Sequence, residues 1–219
     1  MKRLLLALLT GAAFATSSPA CAAVKTIVLV HGAFADGSRW MPVADILLDH
    51  GYSVHVVQEP QTSFAADVAA TRRVLDKAGP CVLVGHSFGG SLADLADTMP
   101  PANKSIGPVG DGFLAVNPDA FPNDFAADAP KALARFMAIS QVPVSGDALK
   151  AKATVAAWKQ KPSYAVIPMQ DRMINPNPER FIAKRAQSQV IELPGNHAIF
   201  LSHAPEVAAL IEKAAIAAK

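Results

Sequence analysis

Cysteine is scarce in this sequence of 219 residues, which contains two cysteines and six histidines. Cys21 lies in a leader that we expect to be removed, so Cys81 would remain alone and no disulfide could form within the mature chain. The cysteines and histidines show no spacing typical of a metal site. The sequence therefore predicts neither a disulfide framework nor a bound metal.

A membrane-spanning segment is not predicted either. The apolar run over residues 4–9 follows two basic residues and is far shorter than the roughly 20 residues that cross a bilayer. Ala20-Cys21-Ala22 has the small side chains of a signal-peptidase site. We predict a signal peptide over residues 1–22, a mature domain over residues 23–219 and a secreted or periplasmic bacterial protein. An uncleaved anchor and a lipid anchor at Cys21 are the less favoured alternatives.

The sequence also lacks a surplus of charge of either sign. The chain has 20 basic and 18 acidic residues, and two of the basic ones belong to the leader, which leaves 18 of each. This balance gives no support for a nucleic-acid partner. With 51% hydrophobic and 17% charged residues, the chain is too apolar for disorder and long enough for one domain with a core.

Strand and helix patterns alternate at both ends of the mature sequence. The predicted strands are Thr26–Val30, Ser53–Val57, 81–84, Tyr164–Pro168 and Gln189–Leu193. The predicted helices are 38–50, Phe64–Ala78, 178–186 and 205–217. This order predicts the α/β class, with a mostly parallel sheet flanked by helices. The alternation of strand and helix patterns is absent over about 100–162, and we interpret this segment as an inserted cap.

A glycine-flanked serine follows the third predicted strand, in the order Gly85-His86-Ser87-Phe88-Gly89. G-x-S-x-G between a strand and a helix is the pattern of a nucleophile elbow, in which small flanking residues let strand and helix pass closely. The alternative is a glycine-rich turn of a nucleotide-binding fold. No G-K-[ST] follows, which disfavours a phosphate loop.

A second loop follows the first predicted strand and contains His31-Gly32-Ala33-Phe34. A His-Gly loop at this place is suited to an oxyanion hole, in which its backbone N–H and that of Phe88 would stabilise a carbonyl oxygen. Taken alone, an ordinary glycine turn is equally favoured. We interpret His31 as structural because it lies at a strand end early in the chain.

An acid and a base complete the pattern. Asp171 follows one late strand and His197 follows the last, and the chain order Ser, acid, His is that of a serine hydrolase triad. Separately, Asp171 could cap a helix and His197 could be a surface residue. Their joint placement after strand ends favours catalysis.

These motifs, with Gln170-Asp171-Arg172, resemble the α/β-hydrolase superfamily, and within it a small bacterial esterase-like branch related to hydroxynitrile lyases and methylesterases. The resemblance implies Ser87 as nucleophile, His197 as base and Asp171 as its partner. It also implies Ala33 or Phe34, with Phe88, as oxyanion donors. Lyase-type members carry a lysine near the catalytic histidine, whereas Ala198 follows His197 here, which favours ester hydrolysis.

The sequence departs from that family at one point. After Gly90, the segment 91–100 leads directly toward the cap, so one core helix and one strand are predicted to be missing. The best candidate for a replacement strand is 112–116. Because neighbouring parallel strands lie about 4.8 Å apart, the loss of one predicts altered triad geometry and reduced activity.

The sequence as a whole predicts a serine hydrolase that cleaves small carboxylic esters without a metal or an organic cofactor. The alternatives are a non-catalytic small-molecule binding protein on the same fold, or lyase or perhydrolase chemistry on the same triad. The partner would be a small ester, and no oligomeric state is predicted.

Overall fold

The computed structural model describes residues 23–90, 101–153 and 157–218. Eight strands lie within these ranges: β1 (Thr26–Val30), β2 (Ser53–Val57), β3 (Cys81–Gly85), β4 (Ile106–Gly110), β5 (Phe113–Val116), β6 (Val144–Ser145), β7 (Tyr164–Pro168) and β8 (Gln189–Leu193). Eight α-helices accompany them: α1 (Met41–Asp49), α2 (Phe64–Ala78), α3 (Phe121–Asp124), α4 (Lys131–Ile139), α5 (Gly146–Lys150), α6 (Pro176–Arg185), α7 (Ile199–Ser202) and α8 (Ala204–Ala217). All five predicted parallel strands are confirmed.

The parallel strands lie in two groups. Strands β2, β1 and β3 form one parallel sheet in that order, and β7 pairs with β8 in another. The last four residues of β1 are buried, which explains why this strand is a continuous β-branched and aliphatic run. The predicted α/β architecture of parallel strands flanked by helices is confirmed.

Within the described residues, no strand-to-strand hydrogen bonds join the two parallel groups. Among the described residues, no strand pairs with the outer edge of β3, and none fills the space between β3 and β7. This agrees with the predicted loss of one helix–strand unit after the serine. The remaining strands do not replace it, since they form a separate antiparallel sheet in the order β4-β5-β6.

The candidate replacement strand, 112–116, is wrong as a member of the parallel sheet. It forms β5, which pairs antiparallel with β4 and β6. The reason is the turn before it, in which Gly110, Asp111 and Gly112 all have positive φ and reverse the chain. The reversal pairs β5 with the strand that precedes it along the chain.

Helices cover the three-stranded sheet unequally. Helices α1 and α8 pack together over the main core on one face, and α2 packs against β1 and β2 on the other. Leu83 of β3 is the register partner of Val28, so both side chains point to the α2 face. Val28 is fully buried, whereas Leu83 is 52% exposed. In the described ranges, α2 is therefore an incomplete cover for β3.

Two structures bridge the gap between the parallel groups. Helix α8 packs against both β3 and β7. Residues 101–153, which we call the cap segment, connect to the loop after β7, where the Ala102 N–H donates to the Arg172 carbonyl at 2.9 Å. Within the described ranges, no helix is long and apolar enough to cross a membrane.

Candidate active site

The serine lies in a tight turn directly after β3. Ser87 has a φ of 53°, a left-handed conformation that is uncommon for a residue with a side chain and typical of a nucleophile elbow. A Cβ atom at Gly89 would lie 2.5 Å from the His31 carbonyl oxygen, so a glycine is required there. Gly85 ends β3 and is exposed. The close approach predicted for the elbow glycines is therefore found at Gly89.

The elbow pattern predicts a helix directly after the serine, with its free N–H groups near the hydroxyl. A short 3-10 turn, Ser87–Gly90, begins there, and residues 91–100 lie outside the described part of the chain. The Gly89 N–H donates to the His86 carbonyl at 2.9 Å. The Phe88 N–H makes no backbone hydrogen bond to any described residue, so it is available as a donor.

Asp171 and His197 form a buried pair. His197 Nδ1 lies 2.7 Å from Asp171 Oδ2, and the two side chains are 3% and 1% exposed. The other carboxylate oxygen accepts the N–H groups of Met173 at 2.7 Å and Ile174 at 2.9 Å, which fixes the carboxylate in its turn. The shortened sheet has not separated this pair.

The charge state of Asp171 follows from its surroundings. Burial by itself would raise the pKa of Asp171, but the adjacent His197 and the hydrogen bonds from His197, Ile174 and Met173 together outweigh it, so the pKa lies below its ordinary value. The carboxylate therefore stays ionised at neutral pH and accepts the His197 Nδ1–H. That bond leaves Nε2 as the basic nitrogen of the imidazole.

His86 connects the serine turn to the histidine loop. Its Nε2 lies 3.0 Å from the His197 carbonyl oxygen, and the two imidazole centroids are 4.5 Å apart. Burial, with a smaller contribution from His197, lowers the pKa of His86 to about 3, so its ring is neutral. A neutral ring that donates from Nε2 carries no proton on Nδ1, which is buried and has no partner among the described residues.

The motif around Ser87 does not by itself indicate this role for His86. The one available signal is its position next to Ser87 within the G-x-S-x-G motif. The hydrogen bond joins two residues 111 positions apart, a relation that no local pattern predicts.

The Ser87 hydroxyl makes no hydrogen bond to His197 or to any other described residue. The structure thus brings Asp171 and His197 together and places them beside the serine turn through His86, but leaves the serine–histidine hydrogen bond unformed. In unliganded hydrolases such bonds are often long and tighten when substrate binds.

The loop after β1 lies against the serine. A Cβ atom at Gly32 would be 2.9 Å from the Ser87 Cβ, so glycine alone allows this approach. The Phe34 N–H, one of the two candidate donors of this loop, is already donated to Gln61 Oε1 at 3.2 Å. The Ala33 N–H makes no hydrogen bond to a described residue. Of the two candidates, Ala33 is therefore the one available to a substrate oxygen.

Aromatic side chains surround the two imidazoles. Phe125 packs edge-on against His197 with centroids 4.9 Å apart, and Phe200 packs against His86 at 4.8 Å. Trp40 covers Phe200 at 4.7 Å. Phe125 comes from the cap segment and is fully buried. The site is therefore lined by aromatic rings, and the low polarity of this lining strengthens electrostatic interactions within it.

Among the described residues, no three His, Cys, Asp or Glu side chains lie close enough together to hold a metal ion.

The sequence profile of the Alpha/beta hydrolase family matches residues 27–210. The chain belongs to the α/β-hydrolase family. The match includes the strand-end loops that carry Ser87, Asp171 and His197. A curated relative from Gibberella zeae, an AB hydrolase superfamily protein, is 29% identical over 110 residues. That alignment covers 44% of this chain and 38% of the length of the relative.

Solved α/β-hydrolases have the same fold. A pyrethroid hydrolase from Sphingobium faniae superimposes with a TM-score of 0.68 at 19% identity, over 87% of this chain and 96% of the other. A methylesterase from Arabidopsis gives 0.70 at 18% identity, over 87% and 98%. Polyneuridine aldehyde esterase gives 0.68 at 18% identity, with the same two coverages. At such identities the likeness establishes the fold and leaves the substrate open.

Proposed function

We propose that this α/β-hydrolase is a serine esterase that cleaves small carboxylic esters. The observation that carries the proposal is the buried Asp171–His197 pair, at 2.7 Å, held beside a serine in a left-handed turn. A serine hydroxyl is a weak nucleophile without a base, and the base needs an orienting acid. Each of these groups is present at the end of a parallel strand.

In the proposed reaction Ser87 Oγ attacks the acyl carbon while its proton passes to His197 Nε2. The tetrahedral intermediate collapses, the alcohol leaves with the proton from His197, and an acyl ester of Ser87 remains. Water then attacks this ester with His197 again acting as base, which releases the carboxylic acid and restores the serine. Asp171 stabilises the imidazolium that forms in both steps.

The oxyanion of each intermediate is held by two backbone N–H groups, those of Ala33 and Phe88. The proposal assigns these two because neither N–H makes a hydrogen bond to a described residue, whereas that of Phe34 is donated to Gln61. Donors that are already in place when charge develops are among the largest contributions to acyl-transfer catalysis.

Short acyl groups are the proposed substrates. Phe125 and Phe200 pack directly against the imidazoles, and Phe121 stacks on Phe125 at 4.6 Å. These rings leave little room beside the base, and they favour an apolar acyl group over a charged one. We further propose that residues 1–22 are removed on export, so that the enzyme acts outside the cytoplasm.

The proposal is tested by expressing the full chain with its leader, measuring the mass of the purified protein, and assaying p-nitrophenyl esters from acetate to decanoate. Ser87→Ala removes the nucleophile and should lower kcat by about 10⁴-fold or more. Ser53→Ala is the matched control, because Ser53 is an exposed serine at the start of β2. It should leave kcat unchanged.

A folded parent protein that is no more active than Ser87→Ala contradicts the esterase proposal. A small-molecule binding protein then becomes the better account, favoured by the divided sheet and by the unformed bond between Ser87 and His197. A cyanohydrin cleavage assay run in parallel identifies lyase chemistry on the same residues.

A further inference from the structure

Gln61 is a buried amide in an unusual backbone conformation. Its side chain is 0% exposed and its φ is 57°, which a residue with a long side chain rarely adopts. A buried amide must find hydrogen-bond partners, and a left-handed residue persists only where its surroundings hold it. The conformation thus points to a specific task for this side chain.

The Gln61 amide binds the loop after β1 at three places. Its Oε1 accepts the Phe34 N–H at 3.2 Å. Its Nε2 donates to the Ala35 carbonyl at 2.7 Å and to the Gly32 carbonyl at 3.2 Å. The three bonds lie on both sides of Ala33 and leave the N–H of Ala33 itself unused.

The backbone of Gln61 is anchored to two other parts of the molecule. Its N–H donates to Asp67 Oδ1 in α2 at 2.8 Å, and its carbonyl accepts the Ser145 N–H of the cap segment at 2.8 Å. Asp67 is itself buried. Contacts outside the loop after β1 therefore hold the backbone of Gln61, so the position of its side-chain amide does not depend on that loop.

His31 supports the same loop from beside Gln61, whose Nε2 lies 3.4 Å from His31 Nδ1. Its Nε2 accepts the Glu59 N–H at 2.9 Å, which leaves Nδ1 as the protonated nitrogen, 2.9 Å from the Gly32 carbonyl. Burial lowers the pKa of His31, so the ring stays neutral and keeps this tautomer. Gln61 is thus the only one of the two that reaches beyond Gly32 to Phe34 and Ala35.

We propose that Gln61 is a positioning residue for the oxyanion hole. Its amide holds the backbone of residues 32–35 so that the Ala33 N–H faces the carbonyl oxygen of a substrate on Ser87, and it removes the Phe34 N–H from competition. This inference rests on the proposed esterase function. It assigns no direct contact between Gln61 and the substrate.

The first test is independent of activity. Gln61→Met keeps the approximate side-chain volume but removes all three side-chain hydrogen bonds. Amide hydrogen exchange should become at least about tenfold faster at Phe34, because its N–H loses its acceptor. Gln58→Met is the matched control, since Gln58 accepts the Gly37 N–H at 3.0 Å at the far end of the loop.

The second test reports on the oxyanion hole itself. An ester and its thionoester differ in whether oxygen or sulfur must enter the hole, so their rate ratio measures how well the hole is formed. For Gln61→Met we expect kcat on the oxygen ester to fall about 10- to 100-fold while KM changes little. The ratio of the rate on the ester to the rate on the thionoester should therefore decrease. Gln58→Met should keep the parent ratio.

Gln61→Asn is a second variant that keeps the test decisive if Gln61→Met does not fold. Asparagine tolerates a positive φ better than methionine, and its shorter side chain cannot reach all three partners. Unchanged exchange at Phe34 together with an unchanged ratio in either folded variant overturns the proposal. If the parent hydrolyses no ester, the esterase function fails, and exchange at Phe34 still decides whether Gln61 holds the loop.

Discussion

The candidate site is divided between two parts of the molecule that differ in how they are built. The three-stranded group β2-β1-β3 carries Ser87 and the loop with Ala33, around a central strand whose last four residues are buried. The pair β7-β8 carries Asp171 and His197, and β8 is largely exposed. In each part, contacts within that part or with neighbouring loops hold its site residues in place.

A missing strand removes the fixed spacing between the two parts. A continuous sheet sets the distance between its strand ends through backbone hydrogen bonds. Here the His86 ring joins the two parts directly, through its hydrogen bond to the His197 carbonyl. The cap segment joins them indirectly: the Ala198 N–H donates to its Phe125 carbonyl at 3.1 Å, and its Ser145 N–H donates to the Gln61 carbonyl at 2.8 Å. Helix α8 packs against both parts. We therefore expect substitutions within one part to differ in their effects from substitutions at the contacts that join the two parts.

The largest effect is expected within the second part, from Asp171→Asn. The Met173 and Ile174 N–H groups require an oxygen at the position of Oδ1, so the new amide nitrogen must face His197. That nitrogen donates to Nδ1, which moves the imidazole proton to Nε2 and removes the base. We expect kcat to fall about 10³- to 10⁴-fold with the fold retained, measured by steady-state ester hydrolysis and circular dichroism.

Asp124→Asn is the matched control for that variant. Asp124 is a buried aspartate that accepts hydrogen bonds from Ser105 and Arg172 and does not touch His197. Its replacement should lower the free energy of unfolding and leave kcat within about threefold of the parent. A kcat for Asp171→Asn within about tenfold of the parent would show that Asp171 does not orient the base.

A smaller effect is expected at the junction, from His86→Phe. Phenylalanine keeps the ring against Phe125 and Phe200 but cannot donate to the His197 carbonyl. The loop of His197 then loses one of its bonds to the serine turn, and we expect kcat to fall about 10- to 100-fold while KM stays within a few-fold.

His86→Gln separates the hydrogen bond from the packing. A glutamine amide places a donor near the position of Nε2, so this variant should recover at least part of the lost kcat although its aromatic ring is gone. His55→Phe, on the exposed face of β2, should behave like the parent. If His86→Gln and His86→Phe prove equally slow, ring packing and not the hydrogen bond joins the two parts.

The smallest effect is expected on the incompletely covered face of the first part. Val28→Ala removes two fully buried methyl groups and should cost about 2 kcal/mol of unfolding free energy. Leu83→Ala removes more atoms from the adjacent register position, yet Leu83 is 52% exposed and should cost under about 1 kcal/mol. Urea midpoints at unchanged slope measure both. Equal costs would mean that the face over Leu83 is covered as well as that over Val28.

The elements that could be predicted from the sequence are those that local patterns specify. The predicted bounds of β1 and α2 match those observed, and for β1 the reason is local, because a strand buried on both faces is a continuous apolar run. The candidate strand at 112–116 shows the limit. Its composition was that of a strand, but its partner was decided by a turn of three consecutive residues with positive φ.

The fold class, the serine turn and the order of Ser87, Asp171 and His197 could be predicted from the amino-acid sequence, since strand ends, small residues and chain order are local or linear properties. Two contacts depend instead on tertiary packing: Gln61 accepts the Phe34 N–H, and the His86 ring bonds the His197 carbonyl. These bonds join residues 27 and 111 positions apart. Which N–H groups stay free depends on how distant loops pack, and side-chain hydrogen bonds of that range leave no periodic pattern in the sequence.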